Sequence, residues 1–245
     1  MVISAVIIAL NEEKNIVDCL RSLAFCDERI VVDGGSRDRT VEIARISGGK
    51  VHEKAFEDFS SQKNFAVEKA ASEWIFSIDA DERVSPELAD EIKRAVTDSV
   101  DCAAYAVKRR TKLFGRFFKY SGLQDDRPIR LFRKGFARFE QPVHEKLRVN
   151  GKIGRLKGTL EHMSFQTLSE YLKRLQLYTS LETGGPLNSK PSFFMRPSYR
   201  FLLLYVVKQG FRDGVEGFIY CALSGYYEFI RWAKLWEKGR LKADD

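Results

Sequence analysis

The feature that most constrains the fold is the alternation of short apolar runs with helical patterns over the first hundred residues. The β-branched run at residues 3–10, the apolar segments at residues 29–33 and 74–78 and a short segment at residues 50–53 are predicted as strands. Helical stretches are predicted at residues 14–25, 39–47 and 60–71 and from Ser85 onward. Since neighbouring parallel strands need a helical crossover, this order predicts an α/β fold with a mostly parallel, Rossmann-like sheet flanked by helices.

The pattern changes after Ala103 to short, basic and aromatic pieces separated by glycines. Strands are predicted at residues 129–133, 143–149 and 158–162, followed by a helix at residues 167–183. Glycines and prolines between Gly184 and Pro197 then predict a linker. Beyond it, apolar residues at three- and four-residue steps over residues 215–233 predict a long amphipathic helix, which forms a C-terminal helical extension.

The formal net charge of +7 is divided unevenly along the chain. Residues 1–100 hold 13 Lys/Arg and 20 Asp/Glu, whereas residues 101–245 hold 28 Lys/Arg and 14 Asp/Glu. The basic second half indicates an anionic partner: phosphate, nucleic acid or an anionic membrane surface. Arg127, Arg130 and Arg133 could line a groove for a phosphorylated or otherwise anionic acceptor. The tail suits a membrane interface, because apolar residues at 193–194 and 201–204 lie near Arg196, Arg200 and Lys208. The alternative is that these residues pack the tail onto the core.

Cysteine usage and the N-terminus indicate the compartment. The four cysteines are scattered and form no CxxC pair, which favours a reducing cytosol. The N-terminal run has no basic segment before it and is predicted as a strand, not a signal peptide. No run approaches about 18 apolar residues, so no transmembrane helix is expected. The predicted location is therefore the cytoplasm, with peripheral contact to the inner membrane as a further option.

The sharpest local signal is the motif Asp79-Ala80-Asp81-Glu82 at the end of a predicted strand. Ligands of open α/β sheets bind beyond the carboxyl ends of the strands. Asp79 and Asp81 can together hold Mg²⁺ or Mn²⁺, since these ions bind through few carboxylates plus substrate phosphate oxygens. The alternative is a solvated turn that leads into a helix.

Other polar residues are predicted at the same edge. The first strand ends in Asn11-Glu12-Glu13 and the second ends in Asp33-Gly34-Gly35-Ser36. Lys63 lies on the predicted helix at residues 60–71, between these strand ends and Asp79. An acidic residue at a strand end can hydrogen-bond a base or ribose, and a lysine can neutralise a diphosphate. The structural alternatives are that Asn11 and Ser36 cap helices and that Lys63 is a surface charge.

These motifs resemble those of the GT-A glycosyltransferases of family 2, in the runs at residues 6–13, 31–40 and 79–82. The later runs at residues 127–134, 142–147 and 200–217 resemble the bacterial subgroup that adds a sugar to the lipopolysaccharide core. The resemblance implies an inverting transfer from a nucleotide sugar, with UDP as the expected nucleotide, to a saccharide or glycolipid acceptor. It implies a donor half at residues 1–100, an acceptor half at residues 101–185 and an extension at residues 186–245.

The resemblance also implies roles by position. Asn11 and Glu13 would lie beside the ribose and base, and Asp33 would accept a hydrogen bond from the base. Lys63 would approach the diphosphate, Asp79 would face the ribose, and Asp81 would bind the metal. One departure is Leu10, which stands where the family usually has a tyrosine able to stack on the base.

An inverting transfer needs a general base to take the proton of the acceptor hydroxyl. Glu145 is the preferred candidate, with Asp125 and Asp126 as alternatives. Glu145 could instead be a strand carboxylate paired with Lys146 or Arg148. His144 is a candidate further metal ligand, and His162 is the other histidine that could serve.

Two rival classes of function remain from the sequence. A nucleotidyltransferase would normally have a glycine-rich, basic loop after the first strand, where this chain has Asn11-Glu12-Glu13. A basic protein that binds membrane or nucleic acid without catalysis would explain the second half but leave the acidic cluster unused. A dinucleotide-dependent oxidoreductase is disfavoured, since no GxGxxG follows the first strand.

Overall fold

A computed structural model of the chain describes residues 3–98, 101–141, 146–181 and 192–241, which form two compact units. The first unit contains Met1–Arg109 and Arg127–Met163, and the second contains Arg110–Asp126 and Ser164–Asp245. The predicted divisions at residues 100 and 185 stay predictions.

The first unit is built on a sheet with helices between its early strands. Its strands are β1 (Ile3–Ala9), β2 (Glu28–Asp33), β3 (Lys50–Glu53), β4 (Trp74–Asp79), β5 (Glu82–Val84), β8 (Ile129–Arg133), β9 (Ala137–Glu140), β10 (Lys146–Val149) and β11 (Lys152–Met163). Strand β6 (Cys102–Leu113) begins in the first unit and ends in the second, and the two-residue β7 (Arg116–Phe117) belongs to the second unit. Its helices are α1 (Ile16–Ser22), α2 (Thr40–Ile46), α3 (Phe59–Lys69) and α4 (Pro86–Asp98). The α/β fold class, with a sheet flanked by helices, is confirmed.

The sheet has a parallel half and an antiparallel half. Its order is β3-β2-β1-β4-β8-β6-β11-β5, and β3, β2, β1 and β4 are mutually parallel neighbours. In the other half of the sheet, β4 pairs antiparallel with β8, β8 with β6, and β11 with β5. In the parallel half, Ala9 lies opposite Asp33 and Ile8 opposite Asp79, so three strand ends meet at one edge.

Both faces of the sheet are buried at β1, β2 and β4, which explains the apolar runs of these strands. Ile7, Val31 and Phe76 belong to the core cluster of one face. Their chain neighbours Val32 and Ile75 belong to a second cluster. Because side chains alternate along a strand, burial of both faces needs apolar residues at successive positions.

The second unit is mostly helical. It contains α5 (Leu168–Leu181), α6 (Ser192–Leu202), a π-helical turn (Leu203–Val207), a short 3₁₀-helix (Gly210–Asp213) and α7 (Gly214–Leu241). The C-terminal helical extension is therefore confirmed. No helix within the described ranges is both long enough and apolar enough to span a membrane.

Residues 184–191 of the predicted linker lie outside the described residues. The prediction was wrong at its C-terminal end, because Pro197 lies inside α6. Proline disfavours a helix interior, since it lacks an N–H and crowds the preceding turn. Here the packing of α6 on α7 outweighs that preference. A Cβ built on Gly225 of α7 would lie only 2.8 Å from the carbonyl oxygen of Pro197, so glycine permits this close approach.

The chain around Asp213 is held by its buried carboxylate. Oδ1 accepts a hydrogen bond from the N–H of Lys119 (3.0 Å), and Oδ2 accepts from the N–H of Tyr120 (3.0 Å) and the hydroxyl of Ser121 (2.8 Å). This carboxylate ties the 3₁₀-helix to a loop about ninety residues earlier in the chain.

Candidate active site

The end of β2 is a tight turn organised by Asp33. Oδ2 of this buried carboxylate accepts hydrogen bonds from the N–H groups of Gly35 and Ser36, both at 2.9 Å, and Oδ1 accepts from the Ser36 hydroxyl. Gly35 has φ +99°, a backbone conformation that residues with a Cβ rarely adopt. The sequence Asp-Gly-Gly-Ser therefore forms this turn for local steric and hydrogen-bonding reasons. The predicted role of Asp33 toward a base stays a prediction.

The loop after β1 is fastened to that turn. Asn11 is exposed, with φ +56°, and its side-chain oxygen accepts from the N–H of Arg37 at 2.8 Å. The N–H of Asn11 donates to Ser36 Oγ at 2.8 Å, and Glu13 accepts from the N–H of Arg39 at 3.2 Å. Asn11 and Ser36 thus link two loops, which neither capping alternative anticipated.

Asp79, at the end of β4, lies between two buried cations. Lys63 Nζ is 3.0 Å from its Oδ1, and Arg130 Nη2 is 2.7 Å from its Oδ2. Burial by itself would raise the pKa of Asp79, but the charges of Arg130 and Lys63 outweigh it and hold that pKa well below its usual range. The side chain of Asp79 is still 30% exposed, so a ligand at the sheet edge can reach it. The alternative of Lys63 as a surface charge was wrong, since its side chain is only 4% exposed.

Glu82 lies behind this turn and is fully buried. Its Oε1 contacts Arg130 Nη2 at 2.5 Å and Arg109 Nη1 at 3.1 Å. Its Oε2 accepts a hydrogen bond from the N–H of Asp79 at 3.0 Å. Burial lowers the pKa of the Arg130 guanidinium, but the carboxylates of Asp79 and Glu82 outweigh that effect and raise it. Glu82 therefore holds both the backbone and the counter-ion of Asp79.

Asp81 pairs with His162 across the sheet. The Nε2 atom of His162 is 3.2 Å from Oδ2 of Asp81, and the N–H of Met163 donates to the carbonyl of Asp81 at 2.8 Å. Burial lowers the pKa of His162, but the hydrogen bond and the charge of Asp81 outweigh it, so that pKa is raised. The pairing follows from the register of β11 on β5, which sets His162 opposite Glu82.

The Asp81–His162 pair fits a divalent cation. Its Nε2 and Oδ2 atoms lie 3.2 Å apart, so one ion could contact both side chains. A carboxylate with an imidazole suits Mn²⁺, and Mg²⁺ commonly binds through one or two carboxylates plus substrate phosphates. No group of three or more His, Cys, Asp or Glu suited to a metal occurs among the residues that the structure describes. His144, the further candidate ligand, lies outside these residues, and substrate oxygens or water would supply additional ligands.

The structure gives less information on the candidates for the general base. Glu145 and His144 lie outside the described residues. Asp125 and Asp126 belong to the second unit, where Asp125 is exposed and lies 3.6 Å from Lys208 Nζ. The role of each as a base, or of His144 as a metal ligand, stays a prediction.

Sequence reasoning missed the buried half of this site. Arg130 had been interpreted, with Arg127 and Arg133, as lining a groove for an anionic acceptor. That interpretation was wrong for Arg130, which is buried against Asp79 and Glu82. Arg133 pairs with Glu73 at 3.1 Å and lies over the ring of Trp74. The available signal was Glu82 itself, an acid directly after the Asp-Ala-Asp motif and at the start of the short strand β5.

Comparison with known proteins decides the family. The family model described as glycosyl transferase family 2 matches residues 4–156, which include the Asp33 turn, the Asp79–Asp81 turn and Arg130. The chain belongs to glycosyltransferase family 2. It is therefore an enzyme, and the two rival classes drawn from the sequence, a nucleotidyltransferase and a non-catalytic binding protein, are set aside.

Relatives of this glycosyltransferase match over almost its whole length. The lipopolysaccharide core biosynthesis glycosyltransferase LpsC of Rhizobium meliloti is 31% identical over 98% of this chain and 94% of the relative. An uncharacterized glycosyltransferase of Rickettsia typhi is 32% identical over 96% of this chain and 87% of the relative. Among solved structures, residues 1–349 of TarS from S. aureus, crystallised with UDP-GlcNAc, align with a TM-score of 0.54 at 15% identity. That alignment covers 99% of this chain and 92% of TarS 1–349, and it shows a shared fold.

Proposed function

We propose that this enzyme transfers a sugar, with inversion and with Mg²⁺ or Mn²⁺, from a nucleoside diphosphate sugar to a hydroxyl of a cell-envelope saccharide. UDP is the proposed nucleotide, and the lipopolysaccharide core or a similar glycolipid is the proposed acceptor. The observation that carries the proposal is the position of the Asp79–Asp81 turn, beside His162 and at the same sheet edge as Asp33 and Asn11.

The donor site is proposed at that edge because its groups match the parts of a nucleotide sugar. Asp33, Asn11 and Glu13 supply oxygen acceptors for a base and ribose at the ends of β1 and β2. The partly exposed carboxylate of Asp79 is available to ribose hydroxyls. The TarS structure supports this assignment, since a chain of the same fold was crystallised with UDP-GlcNAc.

Lys63 requires a refinement of its expected role. Its ammonium is neutralised by Asp79 at 3.0 Å, so it does not offer an uncompensated charge to a diphosphate. We assign it first to holding Asp79 in place. It can still contribute to diphosphate binding through the positive potential that it shares with Arg130.

Asp81 and His162 are proposed as the first protein ligands of the divalent ion, with Asp79 and His144 as the further candidates. When bound, such an ion stabilises the negative charge on a departing diphosphate as a Lewis acid. For this purpose the imidazole must be neutral, and the carboxylate must exchange its bond to His162 for the metal.

Inversion by a single displacement needs a base on the side of the anomeric carbon opposite the diphosphate. Glu145 is the proposed base, with Asp125 and Asp126 as alternatives. Replacing each by its amide distinguishes them, since removal of the base lowers kcat and leaves the affinity for UDP unchanged.

The acceptor class rests on the relative LpsC, whose name assigns it to lipopolysaccharide core biosynthesis. The excess of Lys/Arg over Asp/Glu in residues 101–245 suits a phosphorylated saccharide or an anionic lipid. We accordingly propose that the enzyme works in the cytoplasm at the inner membrane, where it contacts the lipid surface peripherally.

Isothermal titration with UDP, with and without Mn²⁺, tests the donor and metal assignments together. We expect binding that is strengthened by Mn²⁺ in the wild-type enzyme and largely lost in Asp81→Ala. Asp90→Ala is the matched control, because Asp90 is an exposed acid of α4 paired only with nearby basic residues. A UDP affinity that changes neither with Mn²⁺ nor in Asp81→Ala would overturn the metal assignment. Absence of nucleotide binding by the folded chain would overturn the donor site.

A further inference from the structure

The helix α6 and the π-helical turn after it carry one exposed apolar stripe. Met195, Tyr199, Leu202 and Val206 recur at steps of four, three and four residues, which places them on one side of the helix. Each is exposed, Met195 to 72%. Leu204, on another side, is buried within the second unit. The stripe is thus distinct from the side with which α6 packs.

The long helix α7 carries a second stripe. Its members recur at alternating steps of four and three residues over the helix: Val215, Ile219, Ala222, Tyr226, Phe229, Ala233 and Trp236. Val215 is 72% exposed and Trp236 is 48% exposed. No charged residue occupies these positions, whereas Cys221, Ser224 and Gly225 on another side of the helix are buried.

Aromatic rings that belong to neither stripe contact each other between the two helical segments. The ring of Phe218, on α7, lies 5.8 Å from that of Phe201 and 5.6 Å from that of Tyr205. Gly225, further along α7, packs against Pro197, earlier in α6, so the helices run antiparallel. The stripes and these aromatic rings are called here the α6–α7 surface. Patches this extensive on a protein surface usually mark a site of interaction.

The charges around the α6–α7 surface are mainly positive. Residues 192–241 contain eight Lys/Arg and four Asp/Glu. Of the acids, Asp213 is buried against backbone N–H groups, and Glu228 is paired with Arg231 at 3.0 Å. Arg196, Arg200 and Arg240 lie beside the stripes and are exposed.

We infer that the α6–α7 surface docks on an anionic membrane, with its apolar side chains in the headgroup region and its basic residues on lipid phosphates. An apolar helix face with tryptophan and tyrosine, bordered by arginine and lysine, is the pattern of helices that lie in a membrane interface. A second copy of the chain is the less suitable occupant, because two surfaces with the same excess of positive charge repel. This inference deepens the proposed function by naming its lipid-contacting surface, and it rests on that function for the lipid-linked acceptor.

Vesicle co-sedimentation of the full chain tests the surface without donor or acceptor. The vesicles contain phosphatidylcholine alone or with phosphatidylglycerol, and the variant is Val215→Ser/Trp236→Ser. We expect wild-type binding to the anionic vesicles and a fall in its partition coefficient of about tenfold or more in the variant. Phe136→Ser/Ile153→Ser, two comparably exposed apolar residues of the first unit, is the matched control and should bind as the wild type does.

A charge variant separates the electrostatic contribution to vesicle binding from the apolar one. Arg196→Gln/Arg240→Gln should weaken binding to anionic vesicles only, and added salt should reduce wild-type binding in the same way. Failure of the wild type to bind anionic vesicles, or equal binding by Val215→Ser/Trp236→Ser, would overturn the inference. A wild-type dimer that this variant converts to monomer, with vesicle binding unchanged, would also overturn it by assigning the surface to a second copy.

The outcome is distinguishable from that of the proposed function. UDP binding by Val215→Ser/Trp236→Ser should equal that of the wild type, since both positions lie in the second unit and the proposed donor site lies in the first. If the variant loses vesicle binding and keeps UDP binding, the result supports the α6–α7 surface independently of the donor site. Normal vesicle binding without any nucleotide binding would instead remove the proposed function.

Discussion

Replacing Glu82 by glutamine should destabilise the enzyme severely, although the side chain keeps its size. The carboxylate is fully buried and contacts Arg130, Arg109 and the N–H of Asp79. Its loss leaves a buried guanidinium with one carboxylate fewer, and breaking a buried ion pair in this way costs about 3–5 kcal/mol. The lower end of that range applies, because Asp79 still neutralises Arg130 and the Arg109 side chain is 24% exposed. For a chain of this size, each kcal/mol lowers Tm by about 2–4 °C, so a fall of about 6–12 °C is expected.

Thermal unfolding followed by circular dichroism measures this change, and UDP titration of the variant below its Tm measures the effect on the site. We expect weaker UDP binding as well, because Asp79 loses a backbone contact. Glu42→Gln is the matched control: Glu42 pairs with Arg39 on the surface of α2 through two contacts of 2.9 and 3.0 Å. The control should leave Tm unchanged, since exposed pairs contribute little. A Tm for Glu82→Gln within about 2 °C of the wild type would refute the assignment of Glu82 as the central anion of the buried network.

Three further predictions concern other positions. In the presence of EDTA, His162→Gln should lower Tm more at pH 5.5 than at pH 9. The pKa of His162 is raised above the ordinary 6.5, so its protonated imidazole stabilises the fold below pH 6.5, and this contribution is lost as pH rises through the raised pKa. Equal losses of Tm at both pH values would contradict the pairing with Asp81. Asp213→Asn should destabilise the second unit by about 1–3 kcal/mol, since the amide cannot accept all three hydrogen bonds, and urea unfolding measures it. Gly217→Ala should lower the free energy of unfolding by about 1–3 kcal/mol or more in the same assay, because its Cβ would collide with the carbonyl oxygen of Gly210. Gly115→Ala is the comparison, because an added Cβ there meets no atom and only the backbone strain of its positive φ would lower stability.

The sequence by itself determined the parallel half of the fold and the edge at which the site lies. Its apolar runs at residues 3–10, 29–33 and 74–78 predict strands, and polar residues such as Asn11, Asp33 and Asp79 stand at their ends. Because parallel strands joined by helices align their carboxyl ends, the order of the runs is enough to assign these residues to one edge. The turn at Asp33 was equally predictable, since its glycines and serine form it locally.

Only the tertiary structure decided what surrounds Asp79 and Asp81. Arg130 reaches Asp79 through the antiparallel pairing of β4 with β8, and His162 reaches Asp81 through the pairing of β11 with β5. Such pairings depend on register over 51 and 81 residues of chain, and a shift of one residue would turn each side chain to the opposite face. Local sequence patterns do not contain that register, so a buried arginine was interpreted as an exposed one. The same limit applies to Pro197, whose helix exists because Gly225 lets α7 approach it.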